Sequence, residues 1–262
     1  GIGGRVTKRD LLGWLEGAES ATTPAPAPVA DAGRVPLSAV RRRIAEHMRR
    51  SIETAAHVTT VYEMDLTALD AARAAAKDAF LAENGAPLTH TVLLVRALAR
   101  TLKRHPEFNA SIDEEFAHLH AHVNIAIATA LDRALVTPVI HEADRLSVAG
   151  VAVRLGDVVA RARDGKLTLS DLEGGTFTLT NTGKTGALMG TPIINQPQVA
   201  ILHAGALRDV IAVTGPGVFS VRKKAFFSLS FDHRWIDGAD ADRFMGTLRE
   251  ILETTPWQEV IR

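Results

Sequence analysis

Between Ala18 and Gly33 the chain is built almost wholly from Ala, Pro, Thr and Ser, with prolines alternating at Pro24, Pro26 and Pro28. Each proline fixes φ and removes an amide donor, so neither a helix nor a central strand runs through such a stretch. Residues 18–33 are therefore expected to form an extended, flexible linker. Everything packed must come from what flanks it. On the N-terminal side, residues 1–17 offer one helical start. Thr7 can satisfy an early amide, Asp10 can reach back, and Leu11-Leu12-Gly13-Trp14-Leu15 supplies an apolar face. A piece that short cannot bury a core of its own, and it reads as the tail of something longer. The folded body is expected over 34–262.

Within 34–262 the apolar pattern switches between helical and strand repeats. Leu37, Val40, Ile44, Met48 and Ile52 recur at helical spacing and predict a helix over 38–53 with a basic opposite face. A strand over 58–65 follows, then an Ala-rich helix over 66–83 closed by Asn84-Gly85. The helix over 89–104 is apolar nearly all round and is stopped by Pro106. Strands are expected near 117–130, 135–140, 176–181, 198–204, 208–213 and 225–232, with helices over 146–163 and 239–252. Strand and helix do not alternate regularly, so an α/β class with helices layered on a mixed sheet is favoured over a Rossmann arrangement.

Acidic and basic residues balance at 30 each, which withholds the positive field of a general nucleic-acid binder. Cysteine is absent, excluding disulfides, thiolate metal ligands and a cysteine nucleophile. No apolar run is long enough to span a bilayer. A protein of the cytoplasm, or of the mitochondrial matrix in a eukaryote, is expected.

The stretch 225–238, Ala-Phe-Phe-Ser-Leu-Ser-Phe-Asp-His-Arg-Trp-Ile-Asp-Gly, carries the strongest chemical signal. Its first seven residues alternate as a half-buried strand. His233 then falls in a strand-to-helix turn, where an imidazole can face a cleft and act as a general base near neutral pH. It can equally be a hydrogen-bonded turn histidine. Asp237 has a plain alternative role as the N-cap of the last helix, with Asp240 three residues on.

The arrangement His233-x-x-x-Asp237-Gly238 resembles the signature of the dihydrolipoamide acyltransferase family, the E2 components of 2-oxo acid dehydrogenase complexes; chloramphenicol acetyltransferase carries a related motif. Further segments look like the family's in the family's order. They are Pro36-Leu37-Ser38 leading to Arg41 and Ile44-Ala45, then 106–111, 123–128, 177–183, 190–195 and 197–202. Residues 3–10 are similar to the end of its peripheral subunit-binding domain. The resemblance implies a chloramphenicol acetyltransferase-like fold, a two-layer mixed β-sheet packed with helices. It implies transfer of an acetyl, succinyl or branched-chain acyl group between a dihydrolipoyl thiol and coenzyme A. By match, His233 is the base, Thr180 donates to the oxyanion, and Asp237 orients the histidine loop, with Arg41 as its expected ion-pair partner. Coenzyme A is a substrate, and the lipoyl group belongs to a domain this chain lacks. The expected assembly is a homotrimer with its site between neighbours, extendable to a larger cage, serving the E1 and E3 components.

Other motifs carry less. Gly183-Lys184-Thr185 hints at a phosphate loop, but Thr178 stands where that motif requires its first glycine. His118, His120 and His122 alternate and could share a strand face, yet no metal is expected. The arginines at 41–43, 49 and 50 could meet phosphates, including those of coenzyme A, with Arg41 the expected cofactor contact, or simply form a solvated face. A non-catalytic core of the same fold would be expected to lose the histidine, and His233 and Asp237 are both present. A free-standing acyltransferase would need neither linker nor subunit-binding remnant.

Overall fold

A computed structural model describes Gly33 and residues 35–131 and 135–261. The chain divides into two compact units, 1–39 and 40–262. The expected head and nearly all of the linker lie outside the described residues.

Unit 40–262 is organised on one mixed sheet. Its strands are β1 (His57–Asp65), β4 (Ile125–Ala130), β5 (Leu135–Val136), β6 (Val139–Ile140), β7 (Phe177–Asn181), β8 (Ala200–Ala204), β9 (Arg208–Gly215) and β10 (Val218–Asp232), while β2 (Ala110–Ile112) and β3 (Ala117–Leu119) form a separate hairpin. The order is β1-β10-β8-β7-β4-β5, with β6 beside β4 and β9 beside β10. Only β4–β7 and β7–β8 are parallel. The helices are α1 (Ala39–Thr54), α2 (Thr67–Asn84), α3 (His90–Arg104), α4 (Val148–Arg163), α5 (Gly238–Thr254) and the short α6 (Trp257–Val260).

Strand alternation sorts the two faces of this sheet. Phe177, Leu179, Leu202, Phe227, Leu229 and Phe231 are buried on one face, where they join α3 and α5 in a single core. The α3 helix is buried along most of its surface from Val92 to Leu102, and the strip of Arg96, Arg100, Lys103 and Arg104 stays half-buried or exposed. Thr89 starts it by accepting a hydrogen bond from the Val92 amide at 3.3 Å. Phe108 stacks on Phe244 of α5 with ring centroids 4.3 Å apart.

The opposite face carries hydroxyls and an imidazole: Thr178, His203, Ser228 and Ser230 are all buried. The segment 186–198 and α1 are tied together beside β1. Ser51 Oγ donates to the Ile194 carbonyl at 2.6 Å, His47 meets Asn195 at 3.0 Å, and the Ile194 amide donates to His57 at 3.1 Å.

Three local differences from expectation have physical causes. β10 begins at Val218 rather than 225, because its first seven residues have no buried face and are held as strand by pairing with β9. The strand expected over 117–130 breaks into β3 and β4. The apolar stripe of α1 is not a core stripe: Val40 and Ile52 are each 59% exposed.

Candidate active site

The long β10 delivers the motif residues to one corner. At its end Asp232 is almost fully buried and accepts from the Ala56 amide at 3.2 Å, the Arg234 amide at 3.1 Å and the Arg234 guanidinium at 2.7 Å. That hydrogen bond raises the Arg234 pKa. The His233 amide donates to the Ala56 carbonyl at 2.8 Å. The turn is thus stitched to the start of β1 through backbone and carboxylate, and the His233 side chain is left half exposed beside Phe231.

Asp237 opens α5, and Asp240 reaches back to its amide at 3.3 Å, so the N-cap reading of Asp237 describes its backbone role. Its carboxylate faces His233, with Oδ1 3.8 Å from Nδ1. This is an electrostatic contact beyond hydrogen-bond reach. Among the described residues the ion pair of Asp237 is with His233, while Arg41 sits on the exposed side of α1. The expected Asp237–Arg41 pair is therefore not formed within the chain.

Thr180 lies near the end of β7, half buried, opposite His203 of β8. His203 in turn stands opposite Ser228 of β10. From Thr180 to His233 is thus two strand spacings across and five residues along, or roughly 20 Å at ~4.8 Å per strand and ~3.4 Å per residue. One chain does not bring the two candidate residues to a common reacting atom.

A cavity of about 520 Å³ opens at the ends of β7 and β8, floored by Leu66, Leu94 and Phe227 and reached by Asn181. Arg73, Lys77 and Lys184 line it along with Asp78 and His90. At its edge Asp70 contacts His90 Nε2 at 2.7 Å and Arg73 at 3.4 Å. Burial pushes His90 down. Burial alone would raise Asp70, but the His90 hydrogen bond and the Arg73 charge outweigh it and hold the carboxyl below its ordinary value. None of these cations stood out in the sequence, because they come from separate helices and turns and share no spacing. His203 was also overlooked. Its signal was a single imidazole in the apolar run Ala200-Ile201-Leu202-His203-Ala204.

The remaining motifs resolve locally. Gly183–Thr185 forms a single 3-10 turn after β7. Only His118 of the three alternating histidines lies in a strand; it pairs with Asp113 at 2.7 Å, and His122 pairs with Glu142 at 3.4 Å. No helix among the described residues is long and apolar enough to cross a membrane.

Comparison with known proteins agrees with this layout. A family profile described as 2-oxoacid dehydrogenases acyltransferase (catalytic domain) matches residues 30–260. The chain is 38% identical over 263 residues to the dihydrolipoyllysine-residue succinyltransferase component of the 2-oxoglutarate dehydrogenase complex of Escherichia coli K12, covering 97% of this chain and 64% of that protein. It is 36% identical over 277 residues to the dihydrolipoyllysine-residue acetyltransferase component of the pyruvate dehydrogenase complex of Corynebacterium glutamicum, covering 98% of this chain and 41% of that one. The chain thus spans less than two thirds of the length of these relatives. Among solved structures it superposes with TM-score 0.82 and 32% identity on the Azotobacter vinelandii dihydrolipoamide acetyltransferase, covering 88% of this chain and 97% of that one; the role of a serine, a histidine and an asparagine in that enzyme's catalytic mechanism has been investigated. The cubic core of a pyruvate dehydrogenase multienzyme complex matches with the same TM-score, identity and coverage. Chloramphenicol acetyltransferase, at TM-score 0.52 and 16% identity over 79% of this chain and 94% of that one, shares the fold.

Proposed function

The chain belongs to the acyltransferase family of the 2-oxoacid dehydrogenases, and on that premise we propose that it moves an acyl group between a dihydrolipoyl thiol and coenzyme A. The observation that carries the reading is the corner at the end of β10. There a half-exposed His233 is held by its backbone and faced by Asp237 at 3.8 Å.

His233 takes the proton of the attacking thiol, which is otherwise mostly protonated at neutral pH. The thiolate attacks the thioester carbonyl carbon, and the resulting oxyanion accepts a hydrogen bond from the Thr180 hydroxyl. The tetrahedral intermediate then collapses, the carbon–sulfur bond to the leaving thiol breaks, and that thiolate recovers the proton from His233. Asp237 favours the imidazolium formed in between. In the Azotobacter enzyme the histidine and the asparagine stand four residues apart, as His233 and Asp237 do here, so this chain would offer a charged group at that place.

The ~20 Å between Thr180 and His233 within one chain supports a site whose two residues come from different subunits. A homotrimer supplies that arrangement. The exposed apolar residues support it: Val40 and Ile52 on α1, and Ile211, Val213, Phe219 and Val221 on the β9–β10 hairpin, are surfaces of the kind that another chain covers. The cavity bordered by Arg73, Lys77 and Lys184 suits a phosphate-bearing thioester with an apolar arm. Residues 34–262 are then the catalytic domain. Residues 3–10, similar to the end of the family's subunit-binding domain, support a role beside the E1 and E3 components.

The test is acyl transfer from acetyl-, succinyl- and isobutyryl-coenzyme A to free dihydrolipoamide, beside His233→Ala. Loss of a general base lowers the rate by about 10²–10⁴ with the oligomer intact. Full activity in His233→Ala, or no transfer from any donor by a well-folded assembly, refutes the reading.

A further inference from the structure

Resting on the acyl-transfer reading above, we propose that His203 is a positioning residue that holds Thr182 and the end of β7 so that the neighbouring Thr180 hydroxyl stays aimed at the oxyanion. His203 is only 4% exposed. Its Nε2 lies 2.7 Å from Thr182 Oγ1, and its Nδ1 is buried without a hydrogen-bond partner among the described residues. Thr182 is therefore its one side-chain hydrogen-bond partner among the described residues. Thr180 is its register partner on β7, so the imidazole and the Thr180 side chain stand side by side on one face of the sheet. Thr178 and Thr180 share that face by alternation, and Thr182, just past the strand, reaches it through its contact with His203. On the other flank, Ser228 Oγ is likewise buried without a partner among the described residues and stands directly opposite His203.

The surroundings are shaped to the ring. A Cβ on Gly190 would come within 3.2 Å of the imidazole, so glycine at 190 is what lets the covering segment lie over a histidine at 203. An ordinary strand residue would ask for neither the glycine nor the link to Thr182. A buried polar group that holds a single contact to the end of the strand bearing Thr180 transmits its state to that strand end.

No countercharge faces His203 among the described residues. The β7 side presents threonines and the β10 side Ser228. Segment 186–198 contains no charged residue. Glu63 of β1, opposite Phe226, is engaged by Lys224 at 2.9 Å and Arg208 at 3.9 Å, and Lys184 beyond the end of β7 is exposed. Burial accordingly pushes the His203 pKa down. A proton on His203 makes both ring nitrogens donors, so that Nε2 can only donate to Thr182 Oγ1, and puts an uncompensated cation beside Thr180. Transfer then needs two neutral histidines, His233 as base and His203 as support.

The experiment compares wild type, His203→Ala and His203→Gln for kcat, KM and pH profile. Removing the support lowers kcat by about ten- to a hundredfold, the scale of a small misplacement at the reacting centre, with KM for coenzyme A and for dihydrolipoamide little changed. His203→Gln, with an amide near the same reach, restores most of kcat at neutral pH. The wild-type acid limb of log kcat falls with a slope approaching about two, and that of His203→Gln with about one. An unchanged kcat in His203→Ala, or an equally steep acid limb in His203→Gln, overturns the proposal. If His203→Ala does not fold, Thr182→Val removes the bond from its other end. It must reproduce the kcat loss, with Thr182→Ser restoring it, and no loss in Thr182→Val overturns the proposal as well. Full activity in His233→Ala is a separate outcome, which removes the underlying reading rather than this one.

Discussion

Two inactive variants should rescue each other if the site is divided between chains. Thr180 reaches His203 in one register step and Ser228 in the next, and His233 lies five residues further along β10. The resulting ~20 Å is several times the span over which a base and an oxyanion donor can serve one carbonyl. In a cyclic trimer each site then takes His233 from one subunit and Thr180 from the next. His233→Ala loses the base, worth about 10²–10⁴ in rate, and Thr180→Ala loses an oxyanion donor, worth about 10²–10³. Each homotrimer should therefore retain at most about 1% of activity. If the two chains are coexpressed with different tags and purified through both, every trimer is mixed. Around any mixed ring of three there is one boundary of each kind, so one site in three combines an intact His233 with an intact Thr180. The expected activity is about a third of wild type, some thirtyfold above either parent. Mixed trimers no more active than their parents would refute the division of the site and with it the distance argument.

Other outcomes follow from the same geometry. Asp232→Asn weakens a buried carboxylate that ties Arg234 and the Ala56 amide to the turn bearing His233. A loss of about 2 kcal/mol in urea unfolding is expected for such charge-assisted bonds, with a fall in kcat because the turn carries His233; unchanged values of both would contradict the account. Gly205→Ala would place a Cβ 1.9 Å from the Leu188 carbonyl oxygen, lifting the covering segment off the sheet. A Tm lowered by about 5 °C or more is expected from strain of ~2 kcal/mol, and an unshifted Tm would deny the close approach. Asp70 has a folded-state pKa below its ordinary 3.8. Its contribution is present above the unfolded value and lost as pH falls through the folded one. The stability deficit of Asp70→Asn should thus be full at pH 7 and shrink below about pH 4. A deficit that stays constant down to pH 3 would argue against the Asp70–His90–Arg73 contacts.

Much of the core was legible because burial imposes its own periodicity. The α3 helix had to be central, since apolar residues from Val92 to Leu102 cover all of it but the strip of Arg96, Arg100 and Lys103. The strands 225–232 and 198–204 likewise read directly from their apolar composition. Legibility failed where pairing rather than burial makes the structure. Val218 to Lys224 become strand only by lying against β9, and β2 is three residues long and held by β3. Of the candidate site, the corner of His233 and Asp237 was visible because both residues sit in one local turn. The expected Arg41 partner was not a matter of local spacing, and in the chain Asp237 faces His233 instead. The cavity cations at 73, 77 and 184 are assembled by tertiary packing alone.

The sheet gives a physical reason for the proposed division of the site between chains. Its apolar face is committed to α3 and α5, which leave no room for a charged intermediate. The polar face is where hydroxyls and an imidazole can be buried with partial satisfaction, and it is bordered by α1 and the β9–β10 hairpin, whose exposed apolar residues suit contact with a second chain. A reaction placed there is shielded from water only once that chain arrives. Activity then follows assembly: dilution that separates the subunits should abolish transfer while each chain keeps its helix content, since the core on the other face needs no partner. Transfer by dissociated, folded monomers at the rate of the assembly would break the link between the two faces and leave the exposed apolar surfaces unexplained.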